Sequence, residues 1–278
     1  MLKFALIITM IDFKNKVIVI TGGSNGIGKA LVEYFLSAGA KVATCSRNFD
    51  KLYKLQTQNT GKPLNVYTAD VSSESDCAQF INKVIKNFGT IDILINNAGI
   101  SMRSEFVDSE LETLKKLMDT NFWGAVYCTK YALPYLIQQK GIIVGISSIA
   151  GYRGLPGRSG YSASKHALNG WLESIRVELM DEGVHVMWVC PGFTASNIRN
   201  VALNSKAEPE AESLLDEGKL MTAQQTAQHI VKAIRQKKRT IVLTREGKEA
   251  VLVNKLFPVW ADKLMRKYYY NDSGELIK

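Results

Sequence analysis

What the chain has little of narrows it first. Four cysteines, Cys45, Cys77, Cys128 and Cys190, lie scattered through 278 residues with no Cys-x-x-Cys pair. That excludes a disulfide-dense scaffold and a cysteine zinc site, and it suits a reducing cytoplasm. The only histidines, His166, His185 and His229, show no metal-ligand spacing, so no metal site is expected. No apolar run approaches the ~20 residues of a membrane-spanning helix. Acidic residues are the minority, 26 against 35 Lys and Arg, for a formal charge of +9. With 46% hydrophobic and 22% charged residues the composition is globular, and the length fits one large domain. The positive excess points to nucleic acid, a membrane surface or a phosphorylated ligand.

Residues 1–13 read as a short N-terminal extension. Phe4 to Ile11 is apolar and follows Lys3, but no small-residue cleavage site marks a signal peptide. From Lys16 onward, runs of β-branched residues alternate with helical patterns. Strands are expected at Lys16–Thr21, Lys41–Cys45, Leu64–Ala69, Ile91–Asn96, Ile142–Ser147, Val184–Cys190 and Thr240–Thr244. Helices are expected between them, among them Glu74–Phe88, a long stretch from Leu111 to Gln138, and Tyr161–Met180. In Glu74–Phe88 the apolar positions Cys77, Phe80, Ile81, Val84, Ile85 and Phe88 recur at helical spacing, so one face is buried. Uninterrupted apolar strands alternating with helices predict an α/β fold, a doubly wound parallel seven-stranded sheet with helices on both faces. The one long irregular stretch, about 195–221, reads as a lid.

Where the first strand becomes the first helix stand Gly22, Gly26 and Gly28. Glycines there permit a tight turn and let backbone N–H groups approach a pyrophosphate. Gly23 to Lys29 also reads as a triphosphate loop, but the Mg²⁺-binding hydroxyl that motif needs next is replaced by Ala30. A dinucleotide is therefore the better ligand. At the end of the second strand Ser46-Arg47 offers a guanidinium and no carboxylate, which favours the 2′-phosphate of NADP(H) over the free hydroxyl of NAD.

Tyr161 and Lys165 lie one turn apart on a predicted helix, so phenol and ammonium share a face. The positive charge favours the phenolate, lowering a hydroxyl pKa whose ordinary value is ~10. Ser147-Ser148 ends the preceding strand, where an open α/β sheet faces its ligand crevice. A Ser hydroxyl there can hold a carbonyl oxygen while Tyr161 delivers a proton.

Taken together, Thr21–Gly28, Asp70, Asn96–Gly99, Asn121, Ser148, Tyr161 with Lys165, and Pro191-Gly192 resemble the short-chain dehydrogenase/reductase family over roughly residues 14–245. The resemblance implies a Rossmann-type sheet with NAD(P)(H) bound along the strand ends, in a hydride-transferring enzyme acting on CH–OH and C=O groups, with Asn121, Ser148, Tyr161 and Lys165 as the catalytic set. Tyr161 would be the acid/base, Ser148 the carbonyl-orienting hydroxyl, and Lys165 the ribose ligand that depresses the Tyr161 pKa. Asn121 would interrupt the long helix and anchor a proton-relaying water. The cofactor would lie along Gly22, Ser24, Asn25, Gly26, Ile27 and Gly28, with Ser46 and Arg47 at its adenosine end. Asp70 and Val71 would sit by the adenine, with Asn97, Ala98 and Gly99 along the cofactor. Pro191, Gly192, Phe193 and Thr194 would approach the nicotinamide. Simpler readings stand beside these: Asn121 as a helix irregularity, Asp70 as a cap, Pro191-Gly192 as a strand-ending turn. Asp92 reads as structural.

Met102, Phe106, Tyr152, Leu155, Phe193 and Ile198 offer an apolar pocket with few charges, fitting a bulky hydrophobic ketone or alcohol. Within the family the chain looks most similar to lipid- and steroid-directed reductases, including the 3-ketodihydrosphingosine reductases and the dehydrogenase/reductase 7B-like group. The expected activity is NADPH-dependent reduction of a hydrophobic keto compound. A steroid or small-alcohol dehydrogenase and a cofactor-binding regulatory protein without catalysis are the alternatives. The resemblance also implies a homodimer or homotetramer. Residues 246–278 form a basic extension in which Leu252, Leu256, Trp260, Leu264 and Tyr268 recur every four residues, with Pro258 set to kink or split the helix. Such a helix can lie on an anionic membrane surface, or dock on its own domain or on a second subunit. No nucleic-acid-binding module is present, so the +9 is assigned to the cofactor cleft and to this basic end.

Overall fold

A computed structural model describes residues 11–192, 198, 202–210 and 220–277. Its centre is built from short runs rich in β-branched residues that, apart from the edge strand β3, bury both of their faces. These are β1 (Val17–Thr21), β2 (Lys41–Ser46), β3 (Leu64–Thr68), β4 (Ile93–Asn96), β5 (Ile142–Ile146) and β6 (His185–Cys190). With β9 (Thr240–Val242) they form one seven-stranded sheet in the order β3-β2-β1-β4-β5-β6-β9, every neighbouring pair parallel. In the central register Val19 pairs with Ala43 on one side and Leu94 on the other. The doubly wound Rossmann sheet expected from the strand pattern is thus present.

Alternation along β1 divides the core. Ile18 and Ile20 face α1 (Gly26–Ser37) and α7 (Ala223–Arg235), while Val17 and Val19 face α3 (Glu74–Phe88), α5 (Gly124–Gln139) and α6 (Ser159–Glu178). Successive side chains of a strand point to opposite faces, so one hydrophobic run serves both layers. Helix α3 buries Cys77, Phe80, Ile81 and Val84, as its spacing requires. All four cysteines are free and buried, and desolvation pushes the Cys45 and Cys190 thiols up to about 12. Asp92 ties the start of the sheet, accepting from Lys16 Nζ at 2.8 Å and the Val17 N–H at 2.9 Å.

The long helical stretch after β4 is interrupted. Helix α4 (Leu111–Met118) passes through a π-helical turn, Asp119–Trp123, into α5. Asn121 stands at the centre of that turn. The lid segment is not wholly irregular, because β7 (Ala202–Leu203) and β8 (Pro209–Glu210) pair antiparallel. Leu203 is anchored below, donating to Ser101 O at 2.8 Å and accepting from the Arg103 N–H at 2.8 Å. The expected N-terminal extension falls mostly on residues outside those described, as does much of the lid.

Pro258 splits the tail in two. Helix α8 (Arg245–Leu256) ends at Phe257, and α9 (Pro258–Tyr269) begins with the proline, where a missing N–H costs no helical bond. Both dock on the domain. Arg153 donates from Nη1 to Asn254 Oδ1 at 2.8 Å and pairs through Nη2 with Asp262, binding both helices at once. Tyr270 donates to Glu105 Oε1 at 2.6 Å, and Tyr269 is buried. Among the options left open for this tail, the one taken here is packing on its own domain.

Candidate active site

A cleft of about 1190 Å³ runs along the C-terminal ends of β1, β2, β4 and β5. That exceeds the ~300–1,000 Å³ of an ordinary ligand pocket and leaves room for a dinucleotide and a substrate side by side. Its floor is the glycine loop. Gly22 and Gly26 hold φ of +70° and +53°, which residues with a Cβ rarely adopt. A Cβ on Gly28 would strike the Gly22 carbonyl and sit 2.5 Å from Asn97 Nδ2. The loop is fixed from both sides. The Gly23 N–H donates to Thr44 Oγ1 at 3.0 Å, and Asn97 Nδ2 donates to Thr21 O at 2.9 Å. Asn25 caps α1, accepting from the Gly26 N–H at 2.8 Å. Asn25 also accepts from the Lys29 N–H through its carbonyl at 3.1 Å, and between these two bonds Ile27 and Gly28 line the cleft, where the amides of a helix start serve as donors for a phosphate.

At the adenosine end the residues named from the sequence converge. Ser46, Arg47, Asp70 and Val71 all line the cleft. Asp70 does not cap α3; that task falls to Ser73, which accepts from the Asp76 N–H at 3.3 Å. Asp70 instead accepts from Ser72 N and Ser72 Oγ through Oδ1, at 3.0 and 2.8 Å. Its other oxygen lies 3.9 Å from the exposed Arg47 guanidinium, an ion pair of little strength in water. Lys51 also lines this end, a cation that sequence reasoning missed. Its place four residues after Arg47 was the available signal.

The chemical end is set by β5 and α6. Ser148 follows β5 in extended conformation, and its Oγ accepts from the Ala150 N–H at 3.1 Å. That leaves the hydroxyl proton to give. Tyr161 and Lys165 project from the first turns of α6 into the same cleft, with Lys165 Nζ 5.8 Å from the Tyr161 ring centroid. Lys165 is 3% exposed and donates to Ile146 O at 2.9 Å. Burial lowers its pKa from 10.5 to about 8, so at neutral pH it still carries the charge that favours a phenolate beside it.

Asn121 stands behind this wall rather than in it. Its Nδ2 donates to Ile100 O and Ser164 Oγ, each at 2.9 Å, and its Oδ1 accepts from the Ile100 N–H at 2.8 Å. The side chain therefore joins the segment after β4 to the residue preceding Lys165. A Cβ on Gly99 would lie 3.0 Å from Asn121 Oδ1 and 3.5 Å from Lys165 Nζ, so a larger residue would crowd both. Ala98, Gly99, Pro191 and Gly192 line the cleft, whereas Phe193 and Thr194 lie outside the described residues.

The substrate end departs from the sequence expectation. Leu155 and Ile198 line it, but Met102 is buried against Leu117 and Leu203, and Phe106 is 65% exposed on the surface. Tyr152 faces the core, where its hydroxyl accepts from Trp188 Nε1 at 2.9 Å. The wall is completed by Met265, Tyr268 and Tyr269 of α9, and it carries Arg153 and Arg158. None of these five was legible as pocket lining, because a tail 100 residues downstream supplies the surface they share.

A parallel sheet of this order with a glycine-floored cleft, a strand-end serine and a Tyr–Lys pair defines a Rossmann-fold oxidoreductase. The family model for short chain dehydrogenases matches residues 16–207. The chain belongs to the short-chain dehydrogenase/reductase family and is an oxidoreductase acting on CH–OH and C=O groups. It is 36% identical over 245 residues to dehydrogenase/reductase SDR family member 7B of Bos taurus, covering 83% of this chain and 74% of that one. It is 42% identical over 188 residues to 11-beta-hydroxysteroid dehydrogenase 1A of Arabidopsis thaliana, covering 66% of this chain and 53% of the relative. The fold is shared with a short chain dehydrogenase/reductase from Burkholderia phymatum, solved in complex with NAD. That likeness has a TM-score of 0.81 at 22% identity, over 97% of this chain and all of the other.

Proposed function

We propose that the protein is an NADPH-dependent reductase of a hydrophobic ketone. The observation that carries this reading is the convergence of Ser148, Tyr161 and Lys165 on one cleft with the glycine loop. When bound, the nicotinamide supplies the hydride. The Ser148 hydroxyl donates to the substrate carbonyl oxygen, and Tyr161 passes its proton to that oxygen as the alcohol forms. The Lys165 ammonium stabilises the phenolate left behind, and oxidation runs the same steps in reverse. Asn121 positions the Gly99–Ile100 segment against α6. For the cofactor, Arg47 at the end of β2 and the missing carboxylate beside it support NADPH over NADH.

The apolar wall of Leu155, Ile198, Leu203, Met221 and Met265 supports a bulky hydrophobic substrate, a sphingoid or steroid ketone included. The Rossmann domain spans residues 14–245 in this reading, with α8 and α9 as an appended wall of its site. The outward face of that wall exposes Leu256, Phe257, Val259 and Trp260 beside Lys255 and Lys263, a composition suited to an anionic membrane surface. Among the described residues no helix is long and apolar enough to cross a membrane. Exposed Trp123, stacked on Tyr127 at 5.7 Å, supports self-association into a dimer or tetramer.

The test is NADPH oxidation with a ketone panel, for wild type, Tyr161→Phe and Arg47→Ala. We expect Tyr161→Phe to lose activity by the ~10²–10⁴ that general acid catalysis contributes. Arg47→Ala should weaken NADPH by roughly tenfold or more while sparing NADH. Equal rates in wild type and Tyr161→Phe would remove the catalytic assignment, and an unchanged cofactor preference would remove the assignment of Arg47.

A further inference from the structure

We infer that Arg158 reads an anionic group on the substrate, so that the ketone taken by this cleft is an amphiphile ending in a carboxylate or phosphate. The inference rests on the reading of the site as a ketone reductase and narrows the substrate within it.

Arg158 is the residue before α6, and its backbone is held on both sides. Its N–H donates to Leu155 O at 3.1 Å, and its carbonyl accepts from the Ser162 N–H at 2.8 Å. Tyr161 follows it by three residues, so Arg158 is tied to the reacting end of the cleft rather than to a wandering loop. The side chain lies across the buried ring of Tyr269, with the guanidinium carbon 5.9 Å from the ring centroid, on the inner surface of α9. It is half-buried there. Among the described residues no carboxylate comes within ion-pair distance of it, and its side chain makes no hydrogen bond.

Its neighbour in the same wall does have an acid beside it. Arg153 is engaged by Asp262 and Asn254, so its charge is answered within the protein. Among the described residues Arg158 has no such acid. The other charged groups lining the cleft are Lys165 beside Tyr161, Arg47, Lys51 and Asp70 at the adenosine end, Lys116 and Asp119 at the π turn, and the exposed Glu246 on α8. None of them pairs with Arg158. The planar fork of a guanidinium matches an oxyanion in two parallel bonds, and Arg158 presents one to the cleft. Around it Leu155, Leu203, Met221 and Met265 supply an apolar surface for the rest of the molecule. A cation–π contact alone holds the arginine weakly, which leaves its donors to a ligand.

The experiment uses the full chain with saturating NADPH and three ketones of equal chain length, ending in a methyl, a carboxylate or a phosphate. Wild type is expected to favour one or both anionic ketones over the neutral one by on the order of 10–100-fold in kcat/KM. The preference should shrink as ionic strength rises. In Arg158→Met, which keeps an apolar stem over Tyr269, the anionic-to-neutral ratio should fall to near one. Arg158→Lys should retain part of it, and the carboxylate and phosphate arms distinguish the two headgroups. A ratio that is the same in wild type and Arg158→Met overturns the inference, as does a wild type with no preference at all. That wild-type measurement decides the matter even if the variants do not fold. Turnover of all three ketones without preference leaves the reductase reading standing. No turnover of any ketone, or undiminished turnover by Tyr161→Phe, defeats that reading and this one with it.

Discussion

Replacing Lys165 by methionine isolates the electrostatics of the site. Burial lowers the ammonium pKa from 10.5 to about 8, while an unfolded chain would return it to its ordinary value. That difference amounts to roughly 3 kcal/mol of disfavoured charge in the folded protein at neutral pH. Below pH 8 both states hold the proton, and the penalty is present in full. Between pH 8 and about 10.5 the unfolded chain binds a proton that the folded chain has released, so stability rises with pH in that window. Methionine is unbranched and apolar, and it carries no proton to follow. The stability of wild type relative to Lys165→Met should therefore be level below pH 8. It should then climb by up to ~1.4 kcal/mol per pH unit, to a total of roughly 3 kcal/mol. The assay is urea unfolding of both proteins without cofactor at pH 7, 8, 9 and 10. Groups remote from Lys165 cancel in the difference, and Tyr161, which feels its charge, is replaced by Phe in both proteins. A difference that stays level through the alkaline window, or that falls, refutes the account of Lys165 as a charge held against burial.

Two further substitutions test the scaffold under the site. Gly28→Ala drives a methyl against the Gly22 carbonyl and Asn97, and should cost about 1–3 kcal/mol together with most of the NADPH affinity. Fluorescence titration with NADPH reads this, and wild-type affinity in the variant would show that the loop tolerates a side chain. Asp92→Asn should lower stability by about 1–2 kcal/mol by weakening the link between Lys16, Val17 and the sheet. Its kcat/KM should match wild type, so a loss of activity in thermally stable protein would contradict the purely structural role given to Asp92.

The sheet could be read from the sequence because its information is local. Runs such as Val17–Thr21 and Ile142–Ile146 announce buried strands by composition, and the glycines after β1 announce the turn that must follow. Tyr161 and Lys165 were equally legible, since one helical turn fixes their relation whatever surrounds them. Pro258 marked the break in the tail for the same reason. The π turn was not visible in the hydrophobic pattern, which runs on through it, and only the family resemblance placed an interruption at Asn121. The substrate wall was misread because it is assembled across the chain. Phe106 has the chemistry of a pocket residue and lies outside, whereas Arg153 and Arg158 have the chemistry of a surface and lie inside. What reverses them is the docking of α8 and α9, held by Arg153 with Asp262 and Tyr270 with Glu105, and no periodicity records those pairings.

The turn at Asp119–Trp123 has a consequence for how this helix can change over time. A π turn contains one residue more than the α-helix it interrupts, and each residue advances a helix face by ~100°. Upstream of it, α4 packs on α6 and seats Leu117 against Met102 and Leu203. Downstream, α5 packs on α3 and seats Cys128, Ala132 and Leu136 in the main core. The added residue works as a phase adjuster between two partners whose directions do not coincide. Deleting it would give a more regular helix and a worse protein, because one half would turn its polar side inward. A single-residue deletion within Asp119–Trp123 should therefore cost more stability than point substitutions at the exposed positions around Asn121.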